Sequence, residues 1–142
     1  MRSTPRLELE DARQLVAACQ ALAASHHAAV TIALTDAGGH LLLLERRDGA
    51  SAASSEAAIA KARMAALNGK ATAEQEAAIN GARPALLQLA LVLGAPAVAM
   101  AGGVPLLLGP DCLGAIGVSG STPEMDAAIA GAGVAALSAL CA

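Results

Sequence analysis

The 142-residue sequence contains no phenylalanine, tyrosine or tryptophan. Aromatic rings dominate most cores and interface hot spots, so packing here has to rest on Leu, Ala, Val, Ile and Met. The same absence removes the stacking platforms that single-stranded nucleic acid needs, and a net charge of -3 removes the attraction to a phosphate backbone. Nucleic acid is therefore excluded as a partner. Charge is scarce altogether. Charged residues make up 15% against 56% hydrophobic, too few to cover a domain's surface, so apolar area is expected to be hidden between subunits of a homo-oligomer. Cysteine is scarce too: Cys19, Cys112 and Cys141 are odd in number and lack CxxC spacing. That argues against a disulfide framework and a thiolate zinc site, and reads the three as small apolar fillers. No metal site is expected.

Residues 84–110 carry no charge, which raises the question of a membrane span. Pro84, Pro96, Pro105, Gly94, Gly102 and Gly103 interrupt the stretch and would break a continuous spanning helix, so it reads as buried structure with no membrane role. The N-terminal MRSTPRLELEDARQ has charges where a signal peptide needs an apolar core. A cytoplasmic protein is the expectation.

The chain fits one domain over 1–142, long enough to bury roughly 68% of the surface its unfolded form exposes. Apolar residues Ala12, Leu15, Val16, Cys19, Leu22 and Ala23 recur at helical spacing and predict an amphipathic helix from Leu9 to Ser25. His26 and His27 follow it as C-terminal cations or, less simply, as metal or haem ligands. A strand from Val30 to Thr35, the turn Asp36-Ala37-Gly38-Gly39 and a second run from His40 to Leu44 form a hairpin ending in Glu45, Arg46, Arg47 and Asp48. Ser51, Ser54 and Ser55 offer caps for a helix over Ser54–Asn68. Thr72-Ala73-Glu74-Gln75 has the form of a capping box opening a short helix toward Asn80, and Pro84 opens another apolar helical stretch to Leu93. After Gly94-Ala95-Pro96, the runs Ala97–Ala101, Val104–Leu108 and Leu113–Val118 read as a three-stranded meander. Thr122-Pro123-Glu124 then caps a closing helix to about Leu140 in which Gly131 and Gly133 suggest close packing. The expected fold is an α/β sandwich of the α+β kind, with a mainly antiparallel five-stranded sheet flanked by helices.

Chemistry is thinly distributed. Lys61 and Glu56 lie near the apolar stripe of the second helix, and Arg46 ends a strand; the lysine and arginine suit a carboxylate, against the plainer reading of snorkelling or solvated side chains. His40, just past the Gly-Gly turn, is either a general base or a strand-edge residue. The junctions Gly102-Gly103 and Ser119-Gly120 offer backbone N–H groups to a ligand oxygen, or are simply tight turns and a cap.

The elements DAGGHL at 36–41, Glu45-Arg46 with Asp48-Gly49-Ala50, Lys61-Ala62, Gly102-Gly103-Val104-Pro105 and GAIGVSG at 114–120 closely resemble the GlcG/HbpS family, which is related to the PduO C-terminal domain. The resemblance covers nearly the whole chain and implies that family's antiparallel α/β layer. It also implies haem or another tetrapyrrole as ligand, and assembly into oligomers; the family's activities further include haem degradation, corrinoid metabolism and a glycolate-utilisation locus. Two functions are carried forward. The first is a small-molecule-binding protein of this type, with haem as the cofactor the resemblance implies and a haemin Soret band expected to depend on His26, His27 or His40. The second is an enzyme on a small carboxylate-bearing metabolite, with Arg46 or Lys61 anchoring the carboxylate, Glu56 or His40 moving a proton, and backbone N–H groups near Gly103 and Gly120 steadying an oxyanion.

Overall fold

The computed structural model describes residues 1–94 and 96–142; Ala95, the centre of the turn expected at 94–96, lies outside the described residues. The elements run α1 (Leu9–Ser25), β1 (Thr31–Asp36), β2 (Leu41–Arg46), α2 (Ala52–Asn68), α3 (Thr72–Ile79), a 3-10 turn (Pro84–Gln88), α4 (Leu89–Leu93), β3 (Gly103–Leu108), β4 (Asp111–Ser119) and α5 (Pro123–Leu140). The sheet has the order β2-β1-β4-β3 with every neighbour antiparallel. This is an α+β fold, and the strand count corrects the sequence reading: four strands, not five.

The missing strand is 97–101. Its backbone donors go to a helix and a side chain instead of a ladder: Val98 N–H donates to Ala60 O at 3.4 Å, and Ala101 N–H donates to the Glu76 carboxylate at 3.2 Å. Gly102, at φ 127, then turns the chain into β3. An apolar run bounded by turn residues satisfies its polar groups wherever a partner lies, and here the partners are α2 and α3. The capping box at Thr72 is also revised. Ala71 holds the N-cap position of α3, and the Thr72 hydroxyl instead takes the Gly103 N–H at 2.8 Å.

Alternation along the central strands decides how the layers pack. Ile32, Leu34, Ile116 and Val118 face Leu15, Val16, Cys19 and Ile129 of α1 and α5, forming the main core. Their neighbours Ala33 and Gly117 point the other way, toward Ala58 and Ala62 of α2. Small residues on both sides let α2 lie directly on the sheet, so close that a Cβ at Gly117 would run into the Ala58 carbonyl. Ser51 caps α2 by accepting from Ser54 N–H at 3.2 Å, and Thr31 and Ser54 hydroxyls meet beneath it at 2.7 Å. This close seat brings Lys61, three residues after Ala58, down onto the end of β4.

Among the described residues no helix is long and apolar enough to cross a membrane.

Candidate functional site

Lys61 sits in α2 with its side chain only 5% exposed. Its ammonium donates to Val118 O at 3.0 Å and meets Asp126 Oδ2 at 3.4 Å. Asp126, in the first turn of α5 and equally buried, takes the Ser121 N–H on its other oxygen at 3.0 Å. A buried charge survives only where it is paired and hydrogen-bonded, and this one is tied to three elements at once. The turn before β3 completes the enclosure. A Cβ at Gly102 would lie 3.1 Å from Lys61 Nζ and would collide with Val118 O, and one at Gly103 would collide with Lys61 O. Only glycine lets this backbone close over the lysine stem.

The ammonium opens onto a cleft of about 330 Å³ lined by Glu76, Met100, Ser119, Gly120 and Asp126. Glu76 is fixed at its entrance by the Ala101 N–H. A second cleft of about 360 Å³ has an apolar wall that includes Met64, Ile79, Leu86, Ala90 and Val98, and it shares Glu76 and Met100 with the first. The two clefts are therefore neighbours and together make up a trough region with an apolar part and a charged part.

Of the residues singled out from the sequence, Lys61, Gly102, Gly103, Ser119 and Gly120 come together at this charged end. Glu56 does not: five residues before Lys61 at about 100° per residue, it faces roughly 140° away and is exposed. Arg46 pairs with Thr31, which pairs with Ser119, so it stands in the same row but two strand spacings, roughly 10 Å, across the sheet. There it is exposed and lines a separate open depression with Gln20, Glu45, Arg47 and Asp48. His40 occupies the β1–β2 turn, exposed, with its ring nitrogen 3.5 Å from Asp36. His26 and His27 are exposed at the C-terminal end of α1 and line neither cleft. Sequence reasoning missed Asp126, Glu76 and Met100. Asp126 is indistinguishable from an acidic residue complementing a helix dipole, and Glu76 lies on a short helix where one acid looks like any other. Among the described residues no three His, Cys, Asp or Glu side chains gather to hold a metal ion.

Comparison with known proteins follows the same outline. The family model for "Haem degrading protein HbpS-like" matches residues 7–135. Protein GlcG of Escherichia coli (strain K12) is 35% identical over 119 residues, 84% of this chain and 85% of the relative. Klebsiella pneumoniae protein ORFY superposes with a TM-score of 0.87 at 30% identity, covering 98% of this chain and 95% of that one. A solved PduOC:heme complex superposes with a TM-score of 0.82 at 30% identity, covering 93% and 95%.

Proposed function

From the premise that the chain belongs to the HbpS-like family, we propose that it binds a small amphipathic anion in the trough between α2, α3 and the 97–102 segment, with haem or a related tetrapyrrole as that ligand. The observation that carries this reading is the adjacency of an apolar cleft to one bordered by a buried cation, both lined by Glu76 and Met100. An ammonium has three donors; two are taken by Val118 O and Asp126, which leaves one for a ligand carboxylate. PduOC, a relative of this chain, has been solved with haem.

The residues fit a tetrapyrrole at its face and its carboxylate. Met64, Leu86 and Val98 offer apolar contact, Lys61 the counter-charge, and the Met100 thioether, at the junction of the clefts, is of a type that ligates haem iron. Haem, when bound, supplies a redox-active iron. This chain's own part is to pack the ring face, anchor one carboxylate and keep water from the apolar wall. Because the three histidines lie outside both clefts, the dependence of a Soret band on His26, His27 or His40 expected from sequence is replaced by dependence on Lys61.

The test is haemin titration followed in the Soret region. Lys61→Met combined with Asp126→Asn, which removes both buried charges together, should weaken binding about tenfold or more, the scale of one charge-assisted hydrogen bond at roughly 1.5 to 3 kcal/mol. Histidine-to-alanine variants should match the parent. A parent that produces no Soret change, or one whose binding follows the histidines and ignores the double variant, overturns the assignment.

Homo-oligomerisation belongs to the same proposal. Leu87, Leu91 and Val92 stand 67%, 83% and 80% exposed along the 84–93 segment beside the apolar cleft, where a second subunit would cover them.

A further inference from the structure

We infer that the charged end of the trough also catalyses proton transfer at the carbon beside a carbonyl group of a small 2-oxo acid, with Glu76 as the base and Lys61 holding the enolate oxygen. Glu76 lines both clefts; one carboxylate oxygen accepts the Ala101 N–H at 3.2 Å, and among the described residues no other donor reaches the second. That leaves a carboxylate anchored through one oxygen on a residue that lines the cleft, the placement a general base requires. Asp126 cannot serve in its place, because both its oxygens are committed, one to Lys61 and one to Ser121 N–H. Its part is to position the lysine. The ammonium is held by Asp126 and Val118 O and borders the same 330 Å³ space, so it presents a fixed, preorganised donor to developing negative charge. A space at the small end of the roughly 300–1,000 Å³ range of ligand sites suits a compact acid.

The step balances without an oxidant. The C–H bond next to the carbonyl breaks, its proton passes to Glu76, the electron pair forms a carbon–carbon double bond, and the carbonyl π pair moves onto oxygen beside Lys61. Return of a proton from Glu76 to the same carbon restores the acid. In heavy water the returning particle is a deuteron, so turnover is visible as exchange. This activity goes beyond the ligand reading and does not require the tetrapyrrole.

The experiment follows loss of the C3 proton signals of pyruvate and 2-oxobutyrate by NMR in buffered D2O. The parent protein should exchange them at least tenfold faster than buffer alone for one or both acids. Glu76→Gln should fall back to within twofold of buffer, Glu76→Asp should retain a reduced but measurable rate, and Glu56→Gln, altering an exposed acid outside the cleft, should equal the parent. Haemin titration of Glu76→Gln separates the two proposals, since removing a negative charge from the trough should leave that binding intact or tighten it a few-fold. Exchange no faster than buffer with both acids, or Glu76→Gln as fast as the parent, overturns the inference.

Discussion

Lys61 is part of the fold's interior as well as a contact for the proposed ligand. It is a buried cation whose removal strands Asp126 in the same dry environment, and breaking such a pair costs about 3–5 kcal/mol. Lys61→Ala should therefore lower stability by about that amount in urea titration, while Lys61→Met with Asp126→Asn should recover most of it, having no orphaned charge. Equal stability of the single and double variants would show that the pair is not coupled. The lysine itself was legible in the sequence, lying within the Ala58, Ala62 and Ala65 stripe. Its partner was not, because a contact across 65 residues leaves no local pattern. Cys19 gives a second expectation at this scale. Burial pushes its thiol from 9.0 up to about 12, partly offset by hydrogen bonding with the Gly133 backbone. A thiol that is neutral in the fold but ionises once unfolded contributes stability that is complete below pH 9 and lost as pH climbs toward 12. Unfolding midpoints at pH 8 and 10.5 should drop for the parent, and the drop should be smaller in Cys19→Ala.

Helices and strands are held at close range by positions without side chains. In α5 the two glycines look alike in sequence, and both were read as signs of close packing. They differ in what surrounds them. A Cβ at Gly133 would lie 2.5 Å from Cys19 Sγ and 2.5 Å from Ile116 Cδ1, where α5 crosses α1 and the sheet, whereas one at Gly131 would meet nothing within 4 Å. Gly133→Ala should destabilise by about 1–3 kcal/mol through overpacking, and Gly131→Ala should stabilise by about 0.4–1 kcal/mol by restricting the unfolded chain. Thermal melts of both beside the parent decide it; a shift of the same sign in each would contradict the geometry. Some element boundaries were readable in advance: α1 ends at Ser25 as expected, and α5 starts on Pro123 with Thr122 capping Met125 N–H, whereas α2 starts at Ala52 behind Ser51 instead of at Ser54, and Ala71 takes the cap position of α3. The stretch 97–101 was not readable, since its apolar residues look like a strand and only the positions of Ala60 and Glu76 reveal where its N–H groups go.

For the molecule as a whole, light scattering at micromolar concentration should give a mass that is a multiple of 13.8 kDa, and Leu91→Glu with Val92→Glu should reduce it. A parent of single-chain mass would leave the exposed 87–92 surface unexplained and remove the oligomer from the proposal. Composition alone raises the expectation of apolar area hidden between subunits, although it could not say which face would carry it. The sheet's own margins tell a different story. Its outermost strands are β2, which finishes on Glu45 and Arg46, and β3, which contains Pro105 and so has a gap in its row of N–H groups. Charge on one margin and a missing donor on the other are devices that prevent strands of separate molecules from zipping together. A chain this rich in Ala, Val and Leu should consequently resist fibril growth on storage, and Pro105→Val should be the substitution that lets thioflavin-positive fibres seed from the β3 side.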